Sequence, residues 1–210
     1  MKIAKQGYWI IACGAAVGAL GFLPAAGRAG CWVSVLGFGF AAFSVYFFRD
    51  PERLLPSDPG KIYSPGDGRI LSIAKEGPSD IVTVRVFLSV FDVHVQRMPA
   101  AGTVSKVHYQ PGSFKAAMAD EARLNERSIV TLDCAGRGTL VVEQIAGLIA
   151  RRIETWVKPG DAVAAGARYG IIYFGSQCAV HLPAGAAPVV KVGDRVAAGI
   201  TPIGEWTRKS

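Results

Sequence analysis

One pattern occurs twice near the end of this chain: VKPGDAVAAGARYGII begins at Val157 and returns as VKVGDRVAAGITPIGE at Val190, 33 residues later. Each copy reads as strand, tight turn, strand. Gly160 and Gly166, and again Gly193 and Gly199, fall where a turn needs φ > 0, and the valines point into a shared core. Two rigid hairpins of this kind hold the stretch between them, FGSQCAVHLP, residues 174–183. Within it the Gly175–Ser176 bond is suited to backbone chemistry. Glycine leaves its carbonyl open on one side, and serine sets a hydroxyl next to it.

From residue 65 onward the chain is a succession of short β-rich runs broken by GDG, QPG, AGRG, KPGD, PAGA and KVGD. That spacing predicts a mainly β fold, a sandwich or barrel whose repeats are like the hairpins of hybrid barrels. Residues 113–125 carry Ala, Met and Glu without β-branching and are the best short helix or lid. No second soluble domain is expected.

The first 48 residues differ. Residues 8–23 and 31–48 are apolar runs of 16 and 18 residues without a charge, separated by PAAGRAG. Each is at or just below the ~17–25 residues that span a bilayer as a helix. Lys2 and Lys5 precede the pair and Arg49 and Arg53 follow it, which predicts a helical hairpin with both ends cytoplasmic. The alternative is a signal peptide, but the second run would remain as an anchor in any case. Gly14 and Gly18 form one GxxxG that could ease helix packing. The expected organisation is a membrane-associated hairpin over 1–48, a Pro-rich linker over 49–64 and a β domain over 65–210, at the cell membrane with that domain on the cytoplasmic side.

A formal charge of +7 suits an anionic partner. No nucleic-acid-binding motif is present, so an anionic membrane surface is favoured. Cys13, Cys31, Cys134 and Cys178 have no metal-ligand spacing and read as reduced, buried side chains. Nothing resembles HExxH or paired Cys/His ligands, so no metal is expected. Ser176 is followed by Gln-Cys rather than the x-Gly of a nucleophile elbow, which disfavours a conventional serine hydrolase.

Three histidines narrow the search for a base. His94 follows the strand IVTVRV, with Asp92 two residues earlier; in an extended segment the two share a face. His108 alternates with Lys106 on an exposed strand face and reads as structural. His181 has parity opposite to Ser176 and is the weaker base candidate. Asp67 sits in a turn between Gly66 and Gly68, where a solvated turn aspartate is the plain reading.

FFRDPER (47–53), SPGDG (64–68), FLSVFDVHVQRMP (87–99), NER (125–127), QIAGLIARRI (144–153) and FGS (174–176) occur in family order, and on these blocks the chain resembles the phosphatidylserine decarboxylases in their short, membrane-anchored bacterial and archaeal form. The resemblance implies a proenzyme that cuts itself between Gly175 and Ser176. Residues 1–175 become a β subunit and 176–210 an α subunit, a heterodimer whose further oligomeric state is left open. Ser176 becomes a pyruvoyl group, the cofactor, which forms a Schiff base with the amine of phosphatidylserine and accepts the electrons left when CO₂ departs, yielding phosphatidylethanolamine. It also implies that Asp67 and His94 act together on Ser176 as relay and base, with His94 a candidate proton donor in decarboxylation. The chain departs from the family's DxHxxHMP stretch, because Arg97 stands at the second histidine. Arg97 and Lys115 are candidates for contact with the head-group phosphate.

Two rival readings are a non-catalytic membrane-anchored adaptor or carrier on a biotinyl/lipoyl-like hybrid barrel and a pyruvoyl-dependent decarboxylase of a soluble amino acid. A carrier needs an exposed lysine between the hairpins, and residues 173–189 contain none. The hairpin anchor and basic surface speak against a soluble substrate.

Overall fold

The computed structural model describes residues 2–76, 81–113, 124–147, 152–173 and 175–207, with only the backbone of residues 25 and 26. They form two compact units, Met1–Glu52 and Arg53–Ser210. Most of the stretch expected to be a lid helix, and Lys115 within it, lies outside the described residues.

In the first unit, helix α1 (Gly7–Leu20) and helix α2 (Gly30–Phe47) run as a hairpin. Strand β1 (Lys2–Ile3) pairs with β2 (Arg49–Asp50), so the two ends of the hairpin lie side by side. Glycines form the helix seam. A Cβ on Gly37 would stand 2.2 Å from the Gly18 nitrogen, and one on Gly14 would press on Phe40 and Ala41. The lone GxxxG therefore marks the real contact face. Ser34 adds a hydrogen bond from Oγ to the Gly18 carbonyl at 2.9 Å. The stretch Gly27–Phe47 is long and apolar enough to cross a membrane. The 14 residues of α1 reach only about 21 Å, short of the ~30 Å hydrocarbon core.

Among the described residues the regular elements of the second unit are all β-strands. Its strands are β3 (Lys61–Tyr63), β4 (Gly68–Glu76), β5 (Ile81–Leu88), β6 (Val95–Arg97), β7 (Gly102–Gln110), β8 (Arg127–Cys134) and β9 (Gly138–Ile145). They continue as β10 (Ile153–Thr155), β11 (Ala162–Val163), β12 (Arg168–Ile172), β13 (Ser176–His181), β14 (Ala186–Pro188), β15 (Arg195–Val196) and β16 (Pro202–Trp206). Eight make one curled half-barrel sheet in the order β11-β7-β8-β9-β13-β5-β4-β15, and two three-stranded sheets, β10-β12-β6 and β14-β16-β3, complete the fold. Alternation decides the faces. Val84 and Val86 of β5, Val130 and Leu132 of β8, Leu140 and Val142 of β9, and Cys178 and Val180 of β13 meet Tyr169 and Ile172 of β12 in a single core.

The two repeats have the same local structure, but neither is a closed hairpin. In each copy the two strands part company: β11 joins β7 at one edge of the large sheet while β12 pairs with β10 and β6, and β15 joins β4 at the opposite edge while β16 pairs with β14 and β3. The turns match bond for bond. Asp161 accepts from Lys158 N–H at 2.9 Å and Asp194 from Lys191 N–H at 2.8 Å, while Gly160 and Gly193 sit at φ 94° and 91°. Gly160 N–H then caps Val104 and Gly193 N–H caps Ile70, each at 2.8 Å. Each copy thus lays a two-residue strand along one side of the sheet instead of folding back on itself, so that both of the sheet's edge strands are very short. The second turns meet: a Cβ on Gly199 would lie 3.0 Å from the Gly166 Cα.

Candidate active site

Strand β13 occupies the middle of the large sheet, antiparallel to β5 on one side and β9 on the other. The bond singled out in the sequence stands at its entrance. Gly175 has φ +64°, and a Cβ there would meet only Val90 Cγ1 at 3.9 Å, so backbone angle rather than space selects glycine. Ser176 opens the strand and is fully buried, and its Oγ has no hydrogen-bond partner among the described residues. On the same face, Cys178 is fully buried and its thiol is pushed far up by burial. A thiol kept neutral in this way is a weak nucleophile.

His94 reaches Ser176's neighbour from another sheet. It lies just before β6, fully buried, and the N–H of Gly175 donates to its Nε2 at 3.4 Å. Its Nδ1 is 3.0 Å from the backbone carbonyl of Asp92. A carbonyl only accepts, so Nδ1 carries the proton and Nε2 presents its lone pair to Gly175.

Asp92 therefore serves His94 through its backbone, not its carboxylate. Residues 89–94 do not run as an extended strand: the Asp92 carboxylate turns back to accept from Ser89 N–H at 2.9 Å and Ser89 Oγ at 2.7 Å. The expected shared face of positions 92 and 94 is lost in that turn.

Asp67 is not brought to His94. Arg53 grips its carboxylate with two bonds, Nη1 to Oδ1 at 2.7 Å and Nη2 to Oδ2 at 2.8 Å, and Ala198 N–H donates to Oδ1 at 2.7 Å. The residue read as a relay ties Arg53 to the second repeat. Nor is Arg53 a free cation flanking the hairpin, since its side chain is 8% exposed. Removing one partner of such a pair strands a buried charge, so Arg53→Met should lower stability by about 3 kcal/mol. Urea unfolding measures the loss, and Arg53→Met with Asp67→Leu should recover part of it.

Arg97 also points inward. It is 3% exposed and donates from Nη1 to the Gly166 carbonyl at 3.0 Å, beneath the meeting point of the two repeats. A phosphate contact on the surface does not fit that position. His181 faces the other side of β13, with Nε2 3.0 Å from Glu143 Oε1 and Nδ1 2.9 Å from Thr83 Oγ1. Burial alone would raise the Glu143 carboxyl, but His181, Arg127 and Arg85 hold it below its usual range. His108 is exposed on β7 beside Lys106.

Sequence reasoning passed over two glutamines. Gln96 and Gln144 are both fully buried behind His94. The signal was there: each is a neutral amide among apolar residues of a core strand, VHVQRMP and VVEQIAG, where burial demands a partner. Among the described residues no group of His, Cys, Asp and Glu could hold a metal ion.

The family model for phosphatidylserine decarboxylase matches residues 40–204. A protein of Symbiobacterium thermophilum is 46% identical over 172 residues, covering 79% of this chain and 80% of its own. One of Desulfotalea psychrophila is 43% identical over 170 residues, covering 78% and 79%. One of Paraburkholderia phytofirmans is 39% identical over 215 aligned positions, covering 97% and 96%. All three are named phosphatidylserine decarboxylase proenzyme. A non-catalytic adaptor is thereby set aside, and the chain belongs to the phosphatidylserine decarboxylase family of carboxy-lyases.

Proposed function

We propose that the chain is a proenzyme that cleaves itself between Gly175 and Ser176 and then decarboxylates phosphatidylserine to phosphatidylethanolamine. The observation that carries this reading is the 3.4 Å contact of Gly175 N–H with His94 Nε2 beside a buried Ser176 hydroxyl that has no hydrogen-bond partner among the described residues. In the cleavage, Ser176 Oγ adds to the Gly175 carbonyl and gives up its proton to His94 Nε2. The C–N bond breaks as the serine nitrogen takes a proton, leaving an ester and a free amine. Loss of the serine α-proton expels the Gly175 carboxylate and leaves dehydroalanine, and uptake of one water releases ammonia.

A buried hydroxyl without a partner among the described residues, at the head of a core strand and after a glycine at positive φ, fits a pyruvoyl group made in place from residue 176. Such a group supplies a ketone to condense with the substrate amine and an electron sink for the pair released with CO₂. Around it the chain's own residues bury the site, exclude water and offer His94 Nε2 to hold or return a proton.

A lipid substrate gives the first unit its purpose. Its apolar hairpin would hold the chain at the membrane, with Lys2, Lys5 and Arg49 at the anionic cytoplasmic surface. The expected products of the cut, residues 1–175 and 176–210, would form a heterodimer. Intact mass of the purified protein tests the reading. Two chains are expected, the smaller beginning at residue 176 with a pyruvoyl group in place of serine; a single unmodified chain with full decarboxylase activity would overturn it.

A further inference from the structure

His94 and Ser176 come from different sheets, and their mutual placement rests on whatever joins β6 to the strands beside β13. Among the described residues outside the reacting pair, buried polar side chains form a continuous chain of hydrogen bonds. Ser128 Oγ lies 2.6 Å from Thr155 Oγ1, and Thr155 Oγ1 donates to Gln144 Oε1 at 2.7 Å. Gln144 Nε2 donates to Gln96 Oε1 at 2.9 Å, and Gln96 Nε2 donates to the backbone carbonyl of His94 at 2.6 Å. Because Thr155 spends its proton on Gln144, Ser128 donates to Thr155, so every donor points the same way. The relay ends on the peptide of His94.

The chain crosses four strands. Ser128 is on β8, Thr155 on β10, Gln144 on β9 and Gln96 on β6. Gln144 is the register partner of Cys178, two residues past Ser176, so it reads the position of β13 directly. Its amide lies against the bare face of Gly170, where a Cβ would stand 2.5 Å from Nε2 and 2.4 Å from the Glu154 carbonyl. Ile172 N–H also donates to the His94 carbonyl, at 3.4 Å, and the Gln96 bond is the shorter of the two. Such aligned networks in a low-dielectric interior polarise one another and hold a single geometry.

The geometry points to Gln96 and Gln144 as positioning residues: their amide pair fixes the His94 backbone against the strand that carries Ser176, so that Nε2 meets Gly175. Their hydrogen bonds reach the His94 peptide and not its imidazole. The inference rests on the reading of His94 as the base in self-cleavage.

Gln144→Met, close in volume, removes its bonds to Thr155 and Gln96 together with the longer one, 3.4 Å, that Nε2 donates to the Glu154 carbonyl. Its test pairs two readouts: the self-cleavage time course, and the ¹⁵N histidine spectrum of the full chain in a Ser176→Ala background. The His94 signal is assigned by its loss in Ser176→Ala with His94→Ala. A displacement of about 1 Å can cost on the order of 100-fold, so Gln144→Met is expected to slow cleavage roughly 10- to 100-fold. The spectrum should change together with it, from one Nδ1–H tautomer to a mixture. Slowed cleavage with an unchanged His94 tautomer would overturn the inference, and so would cleavage at the wild-type rate. If circular dichroism shows that Gln144→Met does not fold, Thr155→Val gives the same two readouts. It removes only the hydroxyl holding the Gln144 carbonyl, and a few-fold slowing with the same tautomer change is expected. Failure here leaves the base reading standing as long as His94→Ala is slow; His94→Ala at the wild-type rate would remove that reading itself.

Discussion

Ser176→Ala is expected to stay one chain of 210 residues and to release no CO₂ from phosphatidylserine, while folding at least as well as the wild type. The loss should be complete because the substitution takes away the oxygen that would open the Gly175 carbonyl and then leave with it; without that leaving group no dehydroalanine, and so no ketone, would form. No neighbouring group substitutes for it: Cys178 shares the face but is held protonated by burial. Stability should move the other way. Ser176 Oγ is buried without a partner among the described residues, so the hydroxyl is a cost of about 1 kcal/mol to the uncut fold, which alanine removes. Intact mass, a CO₂-release assay and thermal unfolding on the same preparations check all three. A cut Ser176→Ala chain, or one with residual pyruvoyl chemistry, would end the mechanism.

His94→Ala is the second large effect. General-base assistance contributes about 10²- to 10⁴-fold, and self-cleavage should slow by that order. The variant should still fold, since its neighbours on β6 and β12 keep their pairing, though the emptied volume and the lost bond to Asp92 should lower the unfolding midpoint. A gel time course after denaturant-free purification reads the rate. Unchanged cleavage would mean that another group takes the Ser176 proton and that His94 only fills space.

Much of this was legible in the sequence. The glycine-marked repeats, the apolar hairpin and the β-rich body were all readable from local pattern, because turn glycines and periodicity are local properties. What was hidden depended on distant pairing. Nothing near Val157 or Val190 says that the strands of one copy go to different sheets; that depends on which edges of the large sheet are left open. Asp67 looked available because its partner, Arg53, lies across a Pro-rich stretch and was read as a membrane-flanking cation. Asp92 and His94 were assigned one face on the assumption of an extended run, but the Ser89–Asp92 turn rotates the carboxylate away. Arg97, a charge at a family histidine position, suggested a ligand contact. Its actual partner is a glycine carbonyl in a repeat almost seventy positions downstream.

The central place of β13 has a consequence for how the protein survives stress. Before the cut, recovery from unfolding is a first-order event whose rate ignores dilution. After the proposed cut, the middle strand would belong to a separate 35-residue piece, residues 176–210 of 210, and recovery would become a second-order encounter. At low concentration the mature form, once opened, would lose its small chain before it could close. Its persistence is then set by how slowly it opens rather than by an equilibrium constant. The uncut Ser176→Ala chain should recover activity-independent signals such as near-ultraviolet dichroism equally well at any dilution, and the mature enzyme only when concentrated.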